Sequence, residues 1–72
     1  MLFKNLLAWM DRQPITLDEI TRKQPRYMRA IKVEIAEMEN AFKVGDIAGQ
    51  KTHMVRAQGY YKKAQNLIRE GK

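Results

Sequence analysis

The sequence predicts an all-α fold: a long antiparallel helical hairpin over about 25–43 and 47–70, with two short N-terminal helices over about 2–12 and 16–23 packed on it. Three observations predict it. Met28, Ile31, Ile35, Met38 and Phe42 alternate steps of three and four, the repeat of a helix packed along a narrow seam. Ile47, Met54, Tyr61 and Ile68 recur every seven residues, with Gln50, Ala57 and Ala64 at the intervening seam positions. Between the two runs, Gly45 suits a helix stop and Asp46 suits an N-cap. So short a connection makes the two helices antiparallel neighbours.

The first segment, 2–12, has a wide apolar face: Leu2, Phe3, Leu6, Leu7 and Met10 fall together, with Trp9 on the flank. That area demands cover, and the simplest cover is the hairpin itself. The alternative is a docking surface for another protein, contacted by Leu2, Phe3, Leu6, Trp9 and Met10. A membrane surface is a lesser expectation, because the segment is short and carries few cations. Gln13-Pro14 breaks this helix. Thr16-Leu-Asp-Glu19 is a capping box, and Asp18/Arg22 and Glu19/Lys23 are i,i+4 pairs that support a short helix over 16–23. Pro25 suits the first position of the next helix, where its missing N–H is not needed. In the hairpin, Ala57 and Ala64 let the helices approach, and Tyr60 and Leu67 widen the apolar stripe.

With 72 residues the chain is expected to form a single small helical domain, burying only about 60% of its unfolded surface. It has no cysteine, so no disulfide or thiolate site is available, which fits a reducing, cytoplasmic setting. No apolar run approaches the ~20 residues that span a bilayer. The first ten residues hold one cation, Lys4, and no small-residue cleavage pattern, so a signal peptide is not expected.

Catalytic chemistry is poorly provided for. There is no serine, and the single histidine, His53, has no second ligand at metal-binding spacing; it is expected to flank the seam. The acidic residues, Glu34 among them, show no pairing beyond ordinary helix surface. No enzyme, cofactor or metal site is expected. Residues 16–34 place Ile20 and Ile31 suggestively for a DNA-reading helix-turn-helix. Gln24, Pro25 and Arg26, however, stand where that motif wants apolar, glycine and apolar residues. The segment Asn40-Ala-Phe-Lys-Val-Gly-Asp-Ile, continued by Met54-Val-Arg-Ala57, resembles one helix–turn–helix unit of a tetratricopeptide repeat. Gln50 replaces the small residue of that pattern, and at least three units make such an array, so the resemblance implies shared hairpin chemistry rather than membership.

Charge is the more specific signal. The formal net charge is +6, which suits an acidic partner. An antiparallel hairpin brings Arg22, Lys23, Arg26 and Arg29 to the same end as Lys62, Lys63, Arg69 and Lys72. Arg26 and Arg29 sit near a helix N-terminus, where the dipole disfavours cations by about 0.3–1 kcal/mol each. Gly59 lies mid-helix at a cost of about 1 kcal/mol relative to alanine. Arg56 and Lys63 stand one turn to either side of it, and Lys62 adjoins. That spot lets a protein or nucleic-acid backbone approach between cations, if it is more than a tolerated glycine on a solvated face.

Two functions are expected from these features. The first is a non-enzymatic helical interaction protein, an adaptor, inhibitor or assembly factor that binds another protein through packed helices, homo-oligomers included. The second is a basic nucleic-acid-binding accessory protein that contacts the phosphate backbone through Arg22, Lys23, Arg26, Arg29, Arg56, Gly59, Lys62, Lys63 and Arg69. Against the second, Tyr60 is the only aromatic expected near the Arg56–Lys63 surface.

Overall fold

The computed structural model describes residues 2–71, with side chains from Lys4 onward. The Leu2 and Phe3 side chains, expected on the apolar face of the first helix, and Lys72 of the basic end lie outside the described set. The chain forms four helices: α1 (Leu2–Asp11), α2 (Leu17–Lys23), α3 (Pro25–Lys43) and α4 (Ile47–Arg69). The two long helices form the hairpin and pack heavily against each other. No helix is long and apolar enough to cross a membrane.

Local chemistry sets each boundary. The last turn of α1 tightens through Arg12 N–H to Trp9 C=O (3.2 Å) and Gln13 N–H to Met10 C=O (3.1 Å), while the Gln13 side chain donates to the Trp9 carbonyl. Thr16 caps α2, its hydroxyl oxygen accepting the Glu19 N–H at 3.2 Å. Gln24 ends α2 and precedes Pro25, the first residue of α3. At the hairpin turn Gly45 adopts φ +74°, the left-handed region open to glycine. Its N–H donates to Phe42 C=O, and the Asp46 N–H reaches back to Ala41 C=O at 2.8 Å, a Schellman closure. The Asp46 carboxylate then accepts the Gly49 N–H at 2.8 Å. Asp46 thus closes α3 with its backbone and opens α4 with its side chain. A Cβ on Gly49 would collide with that carboxylate and press on Ala41 Cβ at 3.3 Å, so the cap requires glycine there.

The core joins all four helices. Leu6 and Met10 of α1, Ile15 of the connection, Ile20 of α2, Met28, Ile31 and Met38 of α3, and Ala57, Tyr61 and Ala64 of α4 are buried together. Leu6 and Met10 are buried against the hairpin, which is the cover expected first for the apolar face of α1. Tyr61 fastens the arrangement. Its hydroxyl donates to the Ile15 carbonyl, its ring meets Trp9 edge-on at 5.5 Å, and one turn on Gln65 donates to Gln13 at 3.1 Å.

Two expected seam residues are displaced. Phe42 and Ile47 are 51% and 63% exposed, and Ala41 is buried beside Gln50, which keeps its expected seam position. Helix length explains this. At 1.5 Å per residue α1 and α2 reach about 15 and 10 Å, whereas α3 and α4 run about 28 and 34 Å. Phe42 continues the line of Met28 and Ile35, and Ile47 the line of Met54 and Tyr61, on the side of the hairpin that the short helices cover. That cover ends before the turn. Close to Gly45 only small or polar groups fit between α3 and α4.

Burial, and after it the charge of Asp11, raise the Tyr61 pKa above its ordinary 10.0. The neutral hydroxyl therefore stabilises the fold fully below pH 10.0. That contribution is lost as pH rises past 10.0 through the folded-state value, because the unfolded chain releases its proton first. Tyr61→Phe removes the hydrogen bond and the titration together. At neutral pH it is expected to cost about 1–3 kcal/mol, since the Ile15 carbonyl is left without its donor. Urea denaturation in steps from neutral pH to beyond 10.0 should find the two proteins converging; a constant gap would contradict this account.

Candidate functional site

Among the described residues, α1 and α2 cover the Tyr61 side of the hairpin and leave its other side open. On the open side α3 presents Arg26, Tyr27 and Ala30, and α4 presents Arg56, Gly59, Tyr60 and Lys63. Two shallow depressions lie here. One, of about 300 Å³, is lined by Arg26, Tyr27, Ala30 and Tyr60. The other, of about 230 Å³, is lined by Arg56, Gly59, Tyr60 and Lys63. Tyr60 is the wall they share. Its ring lies 6.4 Å from that of Tyr27 at an interplanar angle of 56°, so the two half-buried rings make a tilted pair rather than a closed stack.

The residues expected on a basic surface divide. Arg26, Arg56, Gly59 and Lys63 come together around the tyrosines. Lys62 lies on the opposite flank of α4, its ammonium 6.0 Å from the Trp9 ring centre, where it helps cover α1. Lys23 pairs with Glu19 at 3.5 Å, as the i,i+4 spacing implies. Arg22, Arg29 and Arg69 are exposed and line neither depression. Trp9 is half-buried against Tyr61. Gly59 has nothing within 4 Å of where a Cβ would stand, so its surface is open rather than packed.

Two residues were missed from the sequence. Tyr27 is the first. It sits one residue before the buried Met28, on the flank that meets Tyr60 across the hairpin, and only the pairing of α3 with α4 reveals it. Glu34 is the second, and it corrects the expectation that every carboxylate lies on solvated helix surface. It is 6% exposed, within the α3–α4 seam. His53 Nδ1 donates to its Oε1 at 2.9 Å, and Arg56 Nη1 lies 4.0 Å from the same oxygen. A carboxylate only accepts, so the imidazole proton sits on Nδ1. The signal was present: Glu34 stands three residues after Ile31 and four before Met38, on the buried line. His53 is thus the partner of a buried acid rather than a spectator beside the seam. Arg56, largely exposed, gains little energy at 4.0 Å. Arg56 also lines one of the two depressions.

A third depression, about 220 Å³, lies on the covered side between the end of α1 and the start of α2, and includes Asp11 and Asp18. Among the described residues no group of three or more His, Cys, Asp or Glu side chains is placed to hold a metal ion.

The buried pair carries an asymmetry that can be measured. His53→Ala strips Glu34 of its near partner and is expected to cost about 3 kcal/mol. Glu34→Met removes the buried charge, leaves His53, whose side chain is 21% exposed, to water, and is expected to cost less than about 1 kcal/mol. Equal losses in urea denaturation would show the pair to be incidental. Comparison with protein-family models, with curated proteins and with solved structures finds no match to this chain.

Proposed function

We propose that this chain is a non-enzymatic accessory protein that binds nucleic acid through the open face of its hairpin. The observation that carries this reading is the grouping of Arg26, Arg56 and Lys63 around the Tyr27–Tyr60 pair, on the one side of the hairpin that its own helices leave bare. The net charge of +6 supplies long-range attraction to phosphate. Arg26, in the first turn of α3, stands where the helix dipole disfavours a cation, so its placement is better accounted for by a ligand than by stability. The paired aromatics remove the objection raised by the sequence, which offered Tyr60 alone.

The test is titration of random-sequence DNA and RNA at two salt concentrations. Three phosphate contacts on a single strand imply a roughly 20-fold loss of affinity between about 50 and 200 mM salt. Lys63→Glu and Arg26→Glu, both at exposed positions, should weaken binding without lowering the melting temperature, and Arg26→Glu should raise it slightly because it places an anion at the α3 N-terminus. No binding at low salt would end this reading.

A protein partner is the second reading, and a different surface favours it. Where the cover of α1 and α2 runs out, Phe42, Val44 and Ile47 stand 51%, 79% and 63% exposed at the turn. Exposed apolar groups this close together are a common mark of association. Sedimentation of the wild type and of Phe42→Glu/Ile47→Lys tests it for self-association. Concentration-dependent growth abolished by the double substitution is expected. A monomer at all concentrations would remove the second copy as the occupant of that shelf.

A further inference from the structure

We infer that the two depressions flanking Tyr60 form a site for unpaired nucleotides, in which bases stack on Tyr27 and Tyr60 while the phosphates lie against Arg56, Gly59 and Lys63. This rests on the nucleic-acid reading above and specifies the strand state that the site takes.

Size and shape come first. Enclosed sites for small molecules run from about 300 to 1,000 Å³ and surround their ligand. Depressions of about 300 and 230 Å³ that lie open side by side suit a chain passing across them, with one segment in each. The ring between them is shared, so a strand crossing from one to the other must pass over Tyr60.

Ring geometry then selects the chemistry. Tyr27 and Tyr60 are tilted 56° to each other with centres 6.4 Å apart, so neither ring's face is consumed by the other. Both side chains are partly buried against the core and turn their remaining surface to the depressions, Tyr27 to one and Tyr60 to both. A base stacks on such a face without regard to its identity, because every base has a π-face; inside a duplex those faces are already taken by neighbouring bases. A duplex on this surface reaches only the cations.

Backbone access is the third element. Arg56 and Lys63 stand on α4 one turn before and one turn after Gly59, where no side chain projects and a Cβ would meet nothing within 4 Å. The ribbon of phosphates can lie close to the helix there, between two cations. Arg26 flanks the other depression and meets the strand where it leaves. Charge complementarity names the occupant as an anion, and the paired rings name it as one that carries planar groups.

The experiment measures anisotropy of a labelled oligothymidylate of about twelve nucleotides, within the roughly 4–16 nucleotides typical of single-strand sites, and of a duplex of equal length. The wild type is expected to bind the single strand more tightly. Tyr60→Leu should lower single-strand affinity about tenfold, the loss of roughly one stacked base, without altering the salt dependence. Lys63→Gln should weaken single strand and duplex alike and flatten the salt dependence by about one contact. Tyr60→Phe keeps the π-face and should bind like wild type. Gly59→Ala, which favours the helix and cannot unfold it, should weaken binding while raising the melting temperature.

If the duplex binds as well as the single strand and the tyrosine variants change nothing, stacking is refuted while the nucleic-acid reading survives. If neither oligonucleotide binds at low salt, that reading fails and takes this inference with it. Displacement of the oligonucleotide by polyglutamate in wild type and tyrosine variants alike would overturn the assignment in favour of an acidic protein.

Discussion

The contact on which the rest of the molecule depends is Tyr61 against the connection between α1 and α2. Its hydroxyl donates to Ile15, and its ring supports Trp9. This contact decides which side of the hairpin the N-terminal helices occupy. Adjacent residues on a helix point about 100° apart, so Tyr60 faces away from the side Tyr61 fastens. Two neighbouring tyrosines therefore have opposite duties: one is sunk in the core and the other borders the open groove.

Shortage of cover shapes the remainder. Seventeen helical residues in α1 and α2 cannot sheath the hairpin of a molecule 40 Å long. They are placed at the free ends, where Leu6, Met10 and Ile20 complete the core. The turn end has to manage with small side chains. Ala41 and Gly49 bring the helices close, and Asp46 ties both into one closure through its N–H and its carboxylate. Phe42 and Ile47 stay outside because no third layer extends that far.

Glu34 shows how a locally unfavourable choice is accommodated. A carboxylate in a helix seam is costly unless it is paired, and His53 supplies the pairing from the opposite helix at 2.9 Å. The pair adds a directional link to a seam whose other buried side chains are mostly apolar.

The sequence by itself determined the four helices, the caps of α2 and α4 and the stop at Gly45. Those features rest on groups a few residues apart: Thr16 and Glu19, Asp46 and Gly49, Glu19 and Lys23. It also marked Arg56, Gly59 and Lys63 as one surface, because i±3 and i±4 neighbours on a helix are fixed by its pitch. Only the tertiary structure decided that Leu6 and Met10 are core, that Phe42 and Ile47 are not, that Glu34 is buried, and that Tyr27 stands beside Tyr60. Each of these depends on which faces of different helices meet. The deciding contacts, Tyr61 with Ile15, Gln65 with Gln13 and His53 with Glu34, join residues 46, 52 and 19 positions apart. Periodicity along one helix constrains its own faces and says nothing of the rotation at which a neighbour docks against them.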